Sequence, residues 1–309
     1  MRTVMLGSVV SVLSALLMLS SACSSGAGKA SSGTTGKGEA GKGVTITTIK
    51  VAGPVWMLKG QGGNIGISAG DDGVVMIDDQ FAPLAPKILS AVRALGKGNP
   101  TFVINTHWHG DHSGGNRQMG KYAKIIAHEN ARKRLTWEVP TAGRKRNPMT
   151  KPGLPVVTFP ASISLHFNGE EIRIVHFPTG HTDGDSVVFF TKSNVVHMGD
   201  HFFNGRFPFV DVNSGGNVVQ YVKNVAKVLT LVDDKTKIIP GHGELGDKAQ
   251  LQRFHDTIVE TMAIVAKAKS AGASLEKVIE AGLPAKYKDW GSGFIKTKKW
   301  ITTLYNGLP

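Results

Sequence analysis

A loop of six residues constrains this chain more than any other feature, because residues 107–112 read His-Trp-His-Gly-Asp-His and carry three histidines and one aspartate. The run 101–104 before the loop predicts a short buried strand, and the run 113–115 after it (Ser-Gly-Gly) predicts a turn. Open sheets place their binding sites at the carboxyl ends of strands. Imidazole and carboxylate groups are ligands suited to zinc or iron, so the loop predicts a metal site.

Three later loops repeat the pattern of an apolar run that ends in a glycine-flanked histidine or aspartate. Residues 171–175 lead to His181, residues 194–198 lead to Asp200, and residues 237–240 lead to His242. Glycine allows the backbone to turn sharply and to approach a ligand closely. Four strand ends that supply ligand-type residues in this order are far more specific than any one of them.

These ordered motifs make the chain similar to the metallo-β-lactamase superfamily, from about residue 44 to residue 245. The resemblance implies an α/β fold, a four-layer αββα sandwich, with a two-metal site at one edge of its sheets. It also implies that two ions bind, zinc first and iron or manganese as alternatives. The ligands that it implies are His107, His109 and His181 for the first ion, Asp111, His112 and His242 for the second, and Asp200 as a bridge between them.

The resemblance further implies that Asp78 lies behind the 107–112 loop and orients a ligand as a hydrogen-bond acceptor. The alternative is an ordinary turn residue at the end of a strand. We expect Asp111 to be the main catalytic residue. As a ligand of the second ion, it would steer the attacking hydroxide.

Two metals about 3.5–4 Å apart can share one hydroxide and clamp an attacked carbonyl or phosphoryl oxygen. Zinc lowers the pKa of bound water to about 7, and metal charge stabilises the oxyanion that forms. We therefore expect no serine or cysteine nucleophile.

The function predicted is that of an exported, metal-dependent hydrolase that acts on an ester, thioester or lactone carbonyl. Some zinc β-lactamases have cysteine where this chain has Asp200, which favours the other hydrolase branches. A zinc β-lactamase remains the alternative within enzymes. A non-catalytic metal-binding lipoprotein is the alternative from another class, and the complete set of seven ligands argues against it.

The N-terminus has the features of an export signal. Arg2 precedes an apolar run over residues 4–19 and a short stretch of small residues, and Cys23, the sole cysteine, follows. We expect a signal peptide over 1–22, a Gly/Ser-rich tether over 23–43 and one domain with C-terminal helices over 44–309. The expected location is the bacterial periplasm, either free after ordinary cleavage or membrane-anchored through a lipidated Cys23.

The formal net charge is +13, and basic residues cluster at 132–134, 144–146 and 296–299. The clusters indicate either solvated surface or attraction to an anionic small-molecule substrate or surface. No nucleic-acid module supports nucleic-acid binding, and the sequence leaves the oligomeric state open.

Two segments have two interpretations each. Residues 139–155 contain prolines, glycines and three consecutive basic residues, which predicts either a lid over the site or a plain surface loop. Residues 202–209 contain four phenylalanines, which predicts either core or the wall of a pocket with Asn204 or Arg206 as polar anchors.

The remaining pattern predicts alternating strands and helices. Strands are expected over 44–51, 55–58, 64–68, 74–77 and 124–127, and helices over 83–95, 116–122, 129–137, 247–270, 274–281 and 292–306.

Overall fold

The computed structural model describes Gly41, residues 43–136 and residues 147–309. The expected signal peptide, Cys23, nearly all of the tether and the basic run 144–146 lie outside these residues. The described residues belong to one compact unit, Glu39–Pro309. None of their helices has the length and hydropathy that a membrane span requires.

Thirteen strands of the described residues form two sheets, each built from one contiguous stretch of chain. The first sheet is an antiparallel meander over its first four strands and is parallel from the fourth to the seventh. Its strands, in spatial order, are β1 (Thr47–Ala52), β2 (Val55–Lys59), β3 (Ile65–Gly70), β4 (Gly73–Ile77), β5 (Pro100–Asn105), β6 (Lys124–His128) and β7 (Val157–Phe159).

The second sheet has six strands and one parallel pair, between β11 and β12. In spatial order its strands are β13 (Gly246–Asp247), β12 (Lys237–Ile239), β11 (Val195–His197), β10 (Ser186–Phe190), β9 (Glu170–His176) and β8 (Ser162–Phe167).

Eight α-helices occur in the described part of the chain. They are α1 (Ala85–Arg93), α2 (Gly110–Ser113), α3 (Asn116–Met119), α4 (Glu129–Thr136), α5 (Val218–Leu229), α6 (Lys248–Ser270), α7 (Leu275–Ala281) and α8 (Thr297–Gly307). Short 3-10 helices cover Ala82–Leu84, Gly199–His201, Val212–Ser214 and Ala285–Ser292.

Three separate apolar interfaces stack these elements into four layers. The first lies between α1 and the first sheet and contains Ile88 and Met76. The second lies between the two sheets, and the third lies between the second sheet and the helices α5, α6 and α8. The predicted αββα sandwich is therefore correct.

Strand β4 shows why the sheets can be covered on both faces. Val75 and Ile77 belong to the interface between the sheets, whereas Val74 and Met76 belong to the interface with α1. Successive side chains of a strand point to opposite faces, so a strand buried on both faces is apolar throughout.

The last helix begins later than its sequence pattern suggested. A helix was expected over 292–306, but α8 begins at Thr297, after an extended Lys296. Gly291 and Gly293 precede the start of α8, and glycine costs more conformational entropy in a helix than other residues.

The pairing of strands brings the predicted ligand loops to one edge. β4 and β5 are parallel neighbours, so Asp78 and the 107–112 loop follow adjacent strand ends. β11 and β12 are also parallel neighbours, which places the loops of Asp200 and His242 side by side.

Candidate metal centre

The seven residues predicted as ligands lie together in two groups. One group contains His107, His109, His181 and Asp200, and the other contains Asp111, His112 and His242. Within each group, one ligand-type atom from every member lies within 4.8 Å of the others. Residues that are up to 135 positions apart in the sequence thus converge because four strands end at the same edge.

Asp200 lies between the two groups, with one oxygen toward each. Its Oδ2 is 3.2 Å from His181 Nε2 and 3.8 Å from His107 Nε2. Its Oδ1 is 3.0 Å from His112 Nε2 and 3.4 Å from His242 Nε2. This is the placement that a bridging carboxylate needs.

The predicted position of Asp78 agrees with the structure. Asp78 is fully buried, and His112 Nδ1 donates to its Oδ2 at 2.7 Å. The backbone N–H and the hydroxyl of Thr106 also donate to this carboxylate, both at 2.7 Å. Because the Thr106 hydroxyl uses its proton here, it can only accept from His107 Nδ1, which is 3.0 Å away.

Two further contacts orient the remaining histidines of the first group. His181 Nδ1 donates to the carbonyl oxygen of Phe209 at 2.6 Å, and His109 Nε2 donates to Asp211 Oδ2 at 2.9 Å. A ring nitrogen that faces an acceptor carries the proton, so the other nitrogen of each neutral ring presents a lone pair to the centre. Acceptors behind histidines are the usual way in which proteins orient metal ligands.

The resulting arrangement fits metal ions. His181 Nε2 and His109 Nδ1 are 2.8 Å apart, although both present lone pairs. His107 Nε2 is buried and has no hydrogen-bond partner among the described residues. Lone pairs that converge in this way repel one another unless a cation lies between them, and neutral imidazole with carboxylate is a donor set that suits zinc.

The electrostatics differ between the two groups. Burial lowers the pKa of His181 to about 4 and, with the positive charge of neighbouring histidines, holds the pKa of His107 well below its usual value. Burial also opposes charge on His242, but Asp200 and Asp111 outweigh it and raise the pKa of His242 to about 9. The rings of His107 and His181 are therefore neutral and can act as ligands, whereas His242 attracts a proton.

Asp200 and Asp111 remain ionised despite burial. Burial would raise the pKa of each carboxyl, but His112 and His242 lie close enough to lower both pKa values below the usual range for aspartate. Both carboxylates can thus act as anionic ligands across the ordinary pH range.

The loop that carries His242 passes so close to Asp200 and Gly199 that position 241 requires glycine. A Cβ atom on Gly241 would lie 2.2 Å from Asp200 Oδ1 and 2.6 Å from the Gly199 carbonyl oxygen. Asn64 holds the same loop, since its side-chain amide donates to the carbonyl oxygens of Pro240 and Gly243 at 3.0 and 2.9 Å.

Asp211 is a site residue that sequence analysis missed. It is 5% exposed and contacts a histidine 102 positions away in the sequence. No glycine-flanked motif marks it, and only the tertiary fold brings it to His109. Tyr221, whose hydroxyl donates to the Asp200 carbonyl oxygen at 2.9 Å, was missed for the same reason.

A cavity of about 560 Å³ opens beside the two ligand groups. It is lined by Gly62, Phe81, His109, Asp111, Asp200, Phe203, Arg206, Phe207, Phe209, His242, Phe294 and Ile295. Its walls are therefore mostly aromatic, with ligands at one end and one cationic side chain.

Both interpretations of residues 202–209 are correct in part. Phe202 is fully buried and packs on Phe254, with ring centroids 5.4 Å apart, whereas Phe203 lines the cavity and stacks on His242. Arg206 lines the cavity as expected of a polar anchor. Asn204 does not line the cavity. Its side-chain amide donates to the Glu244 carbonyl oxygen at 2.9 Å, and its backbone N–H donates to the His242 carbonyl oxygen. We therefore assign Asn204 the positioning of the His242 loop instead of a substrate contact.

The predicted lid over 139–155 is only partly described. Residues 147–155 have no helix or strand and do not line the cavity. Met149 instead packs in a small cluster with Trp108 and Leu135. The segment 137–146 lies outside the described residues, so a lid role for that part stays a prediction.

The sequence also contains one Gly-x-Ser-x-Gly pentapeptide, residues 66–70, which is the pattern of a serine nucleophile at a sharp strand-to-helix turn. In the structure it lies inside β3, and Ser68 is fully buried, with its hydroxyl accepting from Asn168. This serine is not presented to the cavity, so the expectation that no serine nucleophile acts at this site is retained.

The sequence of this chain is similar to those of several known proteins. "Metallo-beta-lactamase type 2" of Bacillus cereus is 26% identical over 189 residues, which is 60% of this chain and 69% of that protein. "Hydroxyacylglutathione hydrolase" of Pelagibacter ubique is 27% identical over 179 residues, 57% of this chain and 64% of that protein. "Beta-lactamase-like protein 2 homolog" of Drosophila melanogaster is 28% identical, and the match covers 55% of each chain.

Solved structures share the fold. The crystal structure of DIM-1 metallo-beta-lactamase superposes with a TM-score of 0.58 at 18% identity and covers 71% of this chain and 99% of its own. The family model described as the metallo-beta-lactamase superfamily matches residues 58–242, which is more than half of the chain and includes all seven ligand positions. The chain therefore belongs to the metallo-beta-lactamase superfamily.

Proposed function

We propose that this chain is a dinuclear zinc hydrolase that acts on the carbonyl group of an ester, thioester or lactone. The observation that carries the proposal is the position of Asp200, with one carboxylate oxygen toward each of two complete ligand groups. A dinuclear metal hydrolase needs a fixed pair of cations beside an open cavity, and here the cavity opens directly on the candidate ligands.

When bound, the ions supply a water molecule of lowered pKa and a positive field that polarises the carbonyl oxygen. His107, His109 and His181 would hold the first ion, and Asp111, His112 and His242 would hold the second. Asp111 would have the additional role of orienting the attacking water, because its partly exposed carboxylate also lines the cavity.

The cavity wall gives the substrate its orientation. Phe203, Phe207 and Phe209 exclude water from the reacting end, and Arg206 can pair with a carboxylate of the substrate. Among the described residues, no carboxylate forms an ion pair with Arg206. An anionic small molecule with apolar parts fits this lining.

A zinc β-lactamase is the second candidate, favoured by the similarity to the Bacillus enzyme of that name. We rank the β-lactamase lower because one β-lactamase subclass has a cysteine thiolate at the position equivalent to Asp200. The similarity to proteins named hydroxyacylglutathione hydrolase supports the thioester alternative. A non-catalytic metal-binding lipoprotein would have no need for an open cavity beside seven ligands.

Export is part of the proposal. The apolar segment 4–19 and the tether before the domain support secretion into the periplasm, with membrane anchoring if Cys23 is lipidated.

The test is hydrolysis by the purified protein after loading with zinc. We expect turnover of at least one substrate in a panel of esters, thioesters, lactones and β-lactams, and loss of that turnover in His107→Ala. Metal content near zero after loading would contradict the proposal. Nitrocefin hydrolysis as efficient as that of the best ester, thioester or lactone would make β-lactamase the leading function.

A further inference from the structure

One wall of the cavity comes from outside the region that the superfamily model matches. Phe294 and Ile295 lie between the 3-10 helix Ala285–Ser292 and α8, beyond residue 242. Phe294 is 87% exposed, the highest value among the large hydrophobic side chains of the described residues. An exposed aromatic ring that also lines an apolar cavity is placed to contact a ligand bound there.

The segment that contains Phe294 is anchored by packing of its neighbour into the hydrophobic core. Ile295, the next residue, is 4% exposed and belongs to the cluster beneath the C-terminal helices. The backbone N–H of Phe207 donates to the Trp290 carbonyl oxygen at 3.0 Å, and the Phe207 ring stacks on Trp300 at 5.7 Å. The C-terminal segment is thus fixed to the loop that contains Phe207, and Phe294 extends from a well-packed part of the chain.

Aromatic contacts connect the mouth of the cavity to the metal ligands. The Phe294 ring meets the Phe209 ring edge-on, with centroids 6.4 Å apart. The Phe209 ring lies in turn 5.7 Å from the rings of His109 and His181. A substrate whose carbonyl lies at the ligands can therefore extend an apolar group along Phe209 as far as Phe294.

We propose that Phe294 is a specificity-determining residue that selects substrates whose reacting carbonyl carries an extended apolar acyl group. This proposal rests on the hydrolase function proposed above. Water adds its oxygen to the carbonyl carbon, the C–O or C–S bond breaks, and the alcohol or thiol leaves with a proton. Phe294 takes no part in that chemistry; it binds the acyl group and covers its own exposed ring in doing so.

The size of the effect follows from hydrophobic burial. Each methylene group removed from water between apolar walls changes binding by about fourfold. Binding of this kind is equally strong before and during reaction, so it acts on KM and leaves kcat unchanged. Short acyl groups that do not reach Phe294 should be insensitive to it.

The kinetic test compares p-nitrophenyl acetate, butyrate and octanoate as substrates of the zinc-loaded protein. Phe294→Ala should lower the octanoate-to-acetate ratio of kcat/KM by roughly tenfold through KM, whereas Phe294→Leu should retain most of the ratio. The matched control is Tyr122→Ala, since Tyr122 is also an exposed aromatic residue, at 48%, and does not line the cavity. An unchanged ratio in Phe294→Ala would overturn the proposal.

A binding measurement separates this proposal from the function on which it rests. Octanamide, an uncharged acyl compound, is titrated into the zinc-loaded protein by calorimetry. We expect binding that Phe294→Ala weakens several-fold and Tyr122→Ala leaves unchanged. Equal affinities, or no binding to the unaltered protein, would overturn the acyl-group proposal. Failure of the zinc-loaded protein to hydrolyse any substrate, with this binding intact, would count against the hydrolase function alone.

Discussion

At the scale of single residues, the sequence predicted the candidate metal ligands better than the hydrogen-bond acceptors behind them. His181 and Asp200 each follow an apolar run and adjoin a glycine, so local pattern was sufficient. Asp78 was found through the family resemblance, because it ends a strand beside the loop. Asp211 has no such signature, and its contact with His109 depends on the path of the whole second half of the chain.

The two buried acceptors should affect the ions differently. Asp211 contacts the first group through His109, whereas Asp78 contacts His112 directly and His107 through Thr106. Loss of such an acceptor weakens metal binding by about 10–100-fold. We therefore expect Asp211→Asn to weaken the first ion alone and Asp78→Asn to weaken both.

Zinc titration against a chromophoric chelator, which separates two binding steps, measures this difference. Equal weakening of both steps by Asp211→Asn would refute the assignment of Asp211 to the first ion.

At the scale of elements, the long helix α6 was predicted, whereas the amphipathic helix α5 and several short strands were not. The apolar spacing of α6 was evident, and Asp247 and Gln250 form a capping box at its start. β8 and β10 were missed. β8 alternates weakly along a half-exposed edge, and β10, Ser-Val-Val-Phe-Phe, is a short apolar run that periodicity alone does not assign. Pairing within the second sheet, which sequence does not display, decides both.

The capping box gives a prediction about stability. Asp247 accepts from the Gln250 backbone N–H at 2.9 Å, and Asp247→Ala leaves that group unpaired. We expect the free energy of unfolding in urea to fall by about 1 kcal/mol. Asp289→Ala is the control, because Asp289 is exposed and has no described hydrogen bond or ion pair. An equal effect of the two substitutions would show that the cap contributes nothing.

At the scale of the whole molecule, the metal centre joins the two sheets. His107 and His109 follow a strand of the first sheet, whereas His181 and Asp200 belong to loops of the second. The same division holds in the other group, where Asp111 and His112 face His242. The layered fold could be predicted from the ordered motifs, and the phenylalanines of residues 202–209 were one candidate for a pocket wall. The wall at Phe294 could not be predicted, because it comes from the C-terminal segment.

Metal removal should therefore lower the stability of the entire sandwich. A ligand that binds only the folded state stabilises it by about 4 kcal/mol when present at a thousandfold excess over its Kd. We expect EDTA to lower Tm by several degrees in calorimetry and added zinc to restore it. His181→Ala, which removes a ligand of the first ion, should show a smaller response. A Tm that does not change with EDTA would contradict a site shared by both sheets.

Membrane association is a separate prediction at this scale. If Cys23 is lipidated, the protein should fractionate with membranes, and Cys23→Ser should release it or block its processing. More than one acyl chain is expected, because a single chain anchors only weakly. An unmodified N-terminus by mass spectrometry, with the protein in the soluble fraction, would establish ordinary secretion.

The contiguous origin of each sheet also sets the order in which the site can form during synthesis. Residues 47–159 build the first sheet and residues 162–247 build the second. Neither stretch alone contains a complete ligand group, since each group draws on both. A nascent chain that has emerged only as far as Phe159 therefore has histidines but no complete ligand group. In the proposed site, the first ion must wait until Asp200 has been made and the second until His242 has been made, with the halves docked.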